Sequence, residues 1–105
     1  MKILFDQGVP LPLRKELPGM DITTAYRMGW GNLGNGDLLA AAEQAAFDIL
    51  VTTDQNLRYQ QNLTERRIAI VVLPTTRWPD IAPHADIVRE ALKQTRPGSF
   101  LELAW

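Results

Sequence analysis

Short runs of consecutive apolar residues alternate along the chain with segments of helical periodicity. Uninterrupted apolar runs are typical of strands that are buried on both faces of a parallel sheet. We predict three such strands, over residues 3–5, 49–51 and 68–73, a weaker strand over 21–25 and a terminal strand over 99–103.

The segments between these strands carry helix signals. A short helix with prolines in its first turn is predicted over 11–17. Asn35 is the predicted N-cap of an Ala-rich helix that runs to about Phe47. A polar helix or turn is predicted over 55–63, and one continuous helix over 79–94. Alternation of strands and helices indicates an α/β fold, and we expect a three-layer sandwich with a mostly parallel central sheet.

Composition narrows the classes of function that the chain can have. The 105 residues indicate a single domain spanning 1–105. Absence of cysteine excludes a disulfide scaffold and a thiol nucleophile, and a single histidine excludes a multi-histidine zinc site. With a net charge of −1, the chain as a whole lacks the excess of basic residues that is typical of nucleic-acid-binding domains. The longest apolar run, 68–73, is too short to span a membrane, and no signal segment opens the chain, so we expect a cytoplasmic protein.

Three aspartates are predicted to meet at the carboxyl end of the sheet, where the parallel strands terminate. Asp6 follows the strand over 3–5, and Asp54 follows the strand over 49–51. Asp37 lies in the first turn of the helix that comes after the strand over 21–25. Carboxylate oxygens without histidine or cysteine suit Mg²⁺ or Mn²⁺, and a cation so held can activate water against a phosphodiester. The alternative is three independent local roles: a helix dipole contact for Asp37, a cap for Asp54 and a turn at Asp6.

Four further residues are candidates for contact with RNA. Trp30, in a glycine-rich loop, is able to stack on an unpaired base or to pack back over the sheet. Arg58, Arg66 and Arg67 follow Asp54 along the chain and are candidates for phosphate contacts near the metal, with solvated surface charge as the alternative.

These motifs together resemble the PIN-like domain superfamily, in particular its short branch related to toxin-type PIN ribonucleases. The resemblance is carried by Asp6, by residues 35–39 at the start of the Ala-rich helix and by residues 50–57. It implies a Mg²⁺- or Mn²⁺-dependent ribonuclease, a hydrolase of RNA phosphodiester bonds, and a toxin that pairs with an antitoxin protein. It also implies catalytic and metal-binding roles for Asp6, Asp37 and Asp54, supported by Gln7, Thr53 and Asn56.

Two departures from the family pattern favour other functions. Gln7 stands where members of the branch often carry a second acid, and a helical segment with a further acid is missing. The first alternative is therefore a catalytically weak or inactive PIN-like module that binds RNA or a protein partner. A more remote alternative is a receiver-type signalling domain with Asp54 as phosphoacceptor, although residues 99–105 lack the lysine that this mechanism uses. The apolar terminal segment with Trp105 leads us to expect a homodimer.

Overall fold

A five-stranded sheet lies at the centre of the protein. The computed structural model describes residues 1–57 and 66–105. All neighbouring strands are parallel, in the order β2-β1-β3-β4-β5. The strands are β1 (Lys2–Phe5), β2 (Asp21–Thr24), β3 (Ile49–Thr52), β4 (Ala69–Val72) and β5 (Phe100–Glu102). The predicted α/β class and parallel sheet are therefore confirmed.

The three central strands, β1, β3 and β4, are buried on both faces. Alternate residues of a strand point to opposite faces, so Phe5 and Val51 belong to one apolar cluster while Leu4 and Leu50 belong to another. This double burial explains why these strands appear in the sequence as uninterrupted apolar runs.

Each apolar cluster is completed by helices. The first includes Leu13 from a 3₁₀ helix (Leu11–Glu16), Ile81 from α2 (Trp78–Ile81) and Val88 from α3 (Ala85–Gln94). The second includes Leu38, Leu39 and Ala42 from α1 (Asn35–Gln44). Among the described residues, no helix has the length and apolar character needed to cross a bilayer.

The prediction of one continuous helix over 79–94 is wrong. The segment forms α2, then a 3₁₀ turn (Ala82–His84), then α3. Pro83 accounts for the break, because proline has no backbone N–H to donate and its ring clashes with the carbonyl four residues earlier. The predicted helix over 11–17 is also 3₁₀ rather than α, and α1 has Gly34 rather than Asn35 as its N-cap.

The C-terminus of α1 has a strained residue. Ala46 adopts a positive φ of 64° and is the only non-glycine to do so among the described residues. Its N–H donates to the Glu43 carbonyl at 3.1 Å, and the Phe47 N–H donates to the Ala42 carbonyl at 2.9 Å. These two bonds form a Schellman motif, in which glycine normally occupies the left-handed position. The helix therefore ends at Gln44, short of the predicted Phe47.

Lys2 connects this helix end to the sheet. Its ammonium donates to the Ala45 carbonyl at 2.7 Å and lies 4.4 Å from the centre of the Phe47 ring. Its backbone N–H donates to the Asp48 carboxylate at 2.8 Å, and the Asp48 N–H donates back to the Lys2 carbonyl. A cation at the C-terminus of a helix is favourable for the helix dipole, so Lys2 joins β1, α1 and the start of β3.

We predict that Ala46→Gly stabilises the protein. A left-handed conformation costs an L-residue about 1–2 kcal/mol, and the greater flexibility of glycine in the unfolded chain offsets part of the gain, so the free energy of unfolding should rise by about 0.5–1 kcal/mol. Urea denaturation measures the change. Ala40→Gly, inside the same helix, is the control and should destabilise by about 1 kcal/mol. A loss of stability in Ala46→Gly would contradict the assigned strain.

Candidate functional site

The strand order creates a crevice at the carboxyl end of the sheet. The chain leaves β1 towards β2 on one side, whereas β3 leads to β4 on the other. In open parallel sheets, ligands bind where the connections diverge in this way. Asp6 directly follows β1, and Asp54 lies two residues after the end of β3, so both aspartates stand at this divergence.

Thr52 links the two aspartates. Its side chain is only 1% exposed, the one buried polar side chain among the described residues. The hydroxyl donates to Oδ2 of Asp6 at 2.8 Å and accepts the backbone N–H of Asp54 at 3.1 Å. The other carboxylate oxygen of Asp6 accepts the Gln7 N–H at 2.8 Å. Sequence reasoning missed Thr52, because a threonine at the end of a strand has no signal that separates it from ordinary strand residues.

The Asp54 carboxylate is held by two donors. One oxygen accepts the backbone N–H of Asn56 at 2.9 Å, which closes a local turn. The other accepts the side-chain amide of Asn35, the first residue of α1. The sequence indicated Asn35 only as a helix cap. In the structure it instead attaches the N-terminus of α1 to the carboxyl end of β3.

Asp37 lies in the first turn of α1, two residues after Asn35, and its side chain is exposed. Attachment of this turn to Asp54 brings Asp37 to the same end of the sheet as the other two aspartates. Within the described ranges, no group of three or more His, Cys, Asp or Glu side chains is arranged to hold a metal ion. The shared ligand set of three aspartates stays a prediction.

Two glycines allow the surrounding loops to approach closely. A Cβ atom added at Gly8 would lie 2.2 Å from Oγ1 of Thr53, and one added at Gly31 would lie 2.5 Å from Nε2 of Gln7. The loop after β1 thus packs on Thr53, and the glycine-rich loop packs on the Gln7 side chain. Gln7, Thr53 and Asn56 all lie beside Asp6 or Asp54, where the sequence predicted supporting residues.

The candidate RNA contacts do not gather at this end. Arg66 and Arg67 precede β4 and lie at the amino end of the sheet, where the Arg66 guanidinium donates to Glu43 at 2.6 Å. They therefore do not adjoin Asp6 and Asp54. Arg58 lies outside the described residues. The Trp30 ring packs edge-on against Phe47, with 6.0 Å between ring centres, so the structure favours packing for Trp30 over stacking on a base.

Arg66 and Arg67 act on the pKa of the Glu43 carboxyl group. Its partial burial alone would raise the pKa, but it accepts hydrogen bonds from the Arg66 side chain and the Arg67 backbone and lies close to the Arg66 charge. Together these contacts lower the pKa below its ordinary value of 4.5. Arg66 and Arg67 thus join the end of α1 to the start of β4.

No family model, no curated protein and no solved structure matches the chain. The PIN-like assignment therefore stays a prediction from the sequence motifs.

We predict that Thr52→Val destabilises the protein. Valine has nearly the same shape but leaves the Asp6 carboxylate and the Asp54 N–H without their partner, which should cost about 1–3 kcal/mol. Chemical denaturation measures the loss. Thr52→Ser retains the hydroxyl and should lose less. A loss in Thr52→Ser with none in Thr52→Val would show that the methyl group, and not the hydroxyl, is what matters at this position.

A second prediction concerns acid stability. Because folding lowers the pKa of Glu43, its contribution is complete well above the unfolded value of 4.5 and is lost as the pH falls through the lower folded value. Glu43→Gln should cost about 1 kcal/mol at pH 7, and the deficit should shrink as the pH falls below about 4.5. Urea titrations at successive pH values test this, with Glu90→Gln as the control for loss of one charge. A deficit independent of pH would exclude the proposed contribution of the ionised carboxylate.

Proposed function

We propose that this chain is a metal-dependent ribonuclease with a PIN-like, three-layer fold. The observation that carries the proposal is the connection of Asp6 and Asp54 through the buried Thr52 hydroxyl at the divergence of β1 and β3. Apolar clusters on both faces of the sheet support the three-layer arrangement. The motif resemblance supports the PIN-like assignment, with RNA as the substrate.

The chemical type of these donors suits a hard divalent cation. Asp6 and Asp54 offer carboxylate oxygens, Asp37 offers a third carboxylate on the attached turn of α1, and no nitrogen or sulfur ligand is predicted. In this proposal the three aspartates hold Mg²⁺ or Mn²⁺. The bound ion would lower the pKa of a water molecule and stabilise negative charge on the phosphate.

The protein's own groups would orient these ligands. Thr52 and the Gln7 N–H each donate to one oxygen of Asp6, and Asn35 and the Asn56 N–H each donate to one oxygen of Asp54. A carboxylate oxygen that accepts one hydrogen bond retains a second lone pair. Donors of this kind fix the direction in which the remaining lone pairs point, which is how residues behind a metal ligand usually act.

The resemblance also implies a toxin neutralised by an antitoxin protein, and we propose that setting for the ribonuclease in the cytoplasm. Purification of the chain with a protein encoded beside it would test the pairing.

A receiver-type phosphoacceptor is the second candidate. The order β2-β1-β3-β4-β5 is also that of receiver domains, and Asp54 follows β3. Against it, residues 99–105 contain no lysine, and the Asp54 carboxylate is engaged by Asn35. Incubation with Mg²⁺ and acetyl phosphate, followed by intact mass measurement, tests this function through the gain of one phosphoryl group on Asp54.

We predict that the purified protein cleaves labelled single-stranded RNA in Mn²⁺ or Mg²⁺ and not in EDTA. Loss of a metal ligand should exceed the 10- to 100-fold effect typical of residues behind the ligands. Asp6→Asn, Asp37→Asn and Asp54→Asn should therefore each lower kcat/KM by more than about 100-fold, and Asn35→Ala by about 10- to 100-fold.

Asp21→Asn is the matched control, because Asp21 is an exposed aspartate at the start of β2 and should leave cleavage unchanged. If the folded protein does not cleave RNA and Mn²⁺ does not raise its Tm, the ribonuclease proposal is wrong and the non-catalytic binding module is favoured. Cleavage that persists in Asp54→Asn would reveal a contaminating nuclease.

A further inference from the structure

An exposed aromatic side chain lies at the carboxyl end of β2, the same end of the sheet at which Asp6 follows β1. Tyr26 is 80% exposed, more than any other large hydrophobic side chain in the described parts of the chain. It lies in the loop between β2 and α1, whose other aromatic residue, Trp30, is packed on Phe47. An uncovered ring next to a crevice is well suited to stack on a planar ligand, and aromatic side chains are the usual platforms for unpaired bases.

Sheet register places Tyr26 close to the aspartates. Phe5 pairs with Thr24, and the Ala25 N–H donates to the Phe5 carbonyl at 2.8 Å. Ala25 is therefore one residue beyond the pair, as Asp6 is on β1, and Tyr26 follows Ala25 directly. Neighbouring strands lie about 4.8 Å apart, so Ala25 is about one strand spacing from Asp6, and Tyr26 lies one residue further along the loop.

Arg27 provides a cation at the same position. Its backbone N–H donates to Oγ1 of Thr24 at 3.1 Å, which anchors the turn. Its side chain is exposed and makes no ion pair with any residue of 1–57 or 66–105. An aromatic ring and an uncompensated guanidinium on adjacent residues match the two chemical parts of a nucleotide, the base and the phosphate.

We infer that Tyr26 and Arg27 bind single-stranded RNA, with the Tyr26 ring stacked on an unpaired base and Arg27 on a neighbouring phosphate. This inference rests on the proposed function and specifies its substrate class. Bases within a duplex are already stacked on their neighbours and present no free face. This platform, formed by Tyr26 and Arg27, thus selects unpaired RNA and directs the adjacent phosphodiester towards Asp6 and Asp54.

Fluorescence polarisation of a labelled ten-nucleotide RNA, measured in EDTA, tests the platform without cleavage. Tyr26→Ala should weaken binding by about 10- to 100-fold, whereas Tyr26→Phe keeps the ring and should bind like the wild type. Ile87→Ala is the control for loss of an exposed apolar side chain on α3. Thermal melts confirm that each variant is folded, since none of these side chains is buried.

Salt dependence tests Arg27. Each phosphate contact on a single strand contributes about 0.7 to the slope of log affinity against log salt. Arg27→Ala should reduce the slope by that amount, and Arg14→Ala, an exposed arginine of the 3₁₀ helix, should not. A blunt duplex of the same sequence should bind more weakly than the single strand.

The outcomes separate this inference from the proposed function. If RNA binding in EDTA depends on Tyr26 but no cleavage occurs in Mn²⁺, the inference about Tyr26 holds and the ribonuclease proposal is wrong. Metal-dependent cleavage with unchanged affinity and kcat/KM in Tyr26→Ala would remove the platform alone. Failure of the wild type to bind RNA, or tighter binding to duplex RNA or single-stranded DNA, would overturn the inference.

Discussion

Burial of three adjacent strands on both faces is the constraint on which the rest of the structure depends. A buried backbone N–H or carbonyl without a partner is costly, so β1, β3 and β4 must each be paired along both sides. Apolar side chains above and below then require helices on each face, which α1 and α3 provide. Polar side chains have room only where the strands end, and there the chain places Asp6 and Asp54.

The Thr52 hydroxyl connects the buried core to the candidate site. It is the last position of β3 that is fully buried, and its two hydrogen bonds reach the Asp6 carboxylate and the Asp54 backbone. Asn35 attaches the start of α1 to the Asp54 carboxylate. The positions of both aspartates are therefore coupled to the packing of the sheet, and the loop with Tyr26 and Arg27 is attached to the same sheet through the Ala25 N–H bond to the Phe5 carbonyl.

Elements that depend on local pattern could be predicted from the sequence, and contacts between distant segments could not. The central strands were found because double burial leaves an apolar run, and topology alone placed Asp6 and Asp54 at one end of the sheet. Pro83 is a sequence signal for the break in the helix, but the helical spacing of Ile81, Ala85 and Val88 favours one continuous helix and conceals it. The contacts of Thr52, Asn35 and Arg66 bring together residues at least nineteen positions apart, and nothing in one sequence pairs them.

The strand order has a consequence for how the chain assembles. β2 joins β1, β3 joins the other side of β1, β4 joins β3, and β5 joins β4. Each strand after β1 thus finds one partner already synthesised when it emerges from the ribosome, and no strand has to be inserted between two others. Parallel sheets fold slowly because their pairings are distant in sequence, and exposed strand sides attract other chains during that time. Because the sheet grows outward from β1 in the direction of synthesis, only two strands have an unpaired side once β2 and β3 have joined β1. These are β2 at one edge and the most recently added strand at the other.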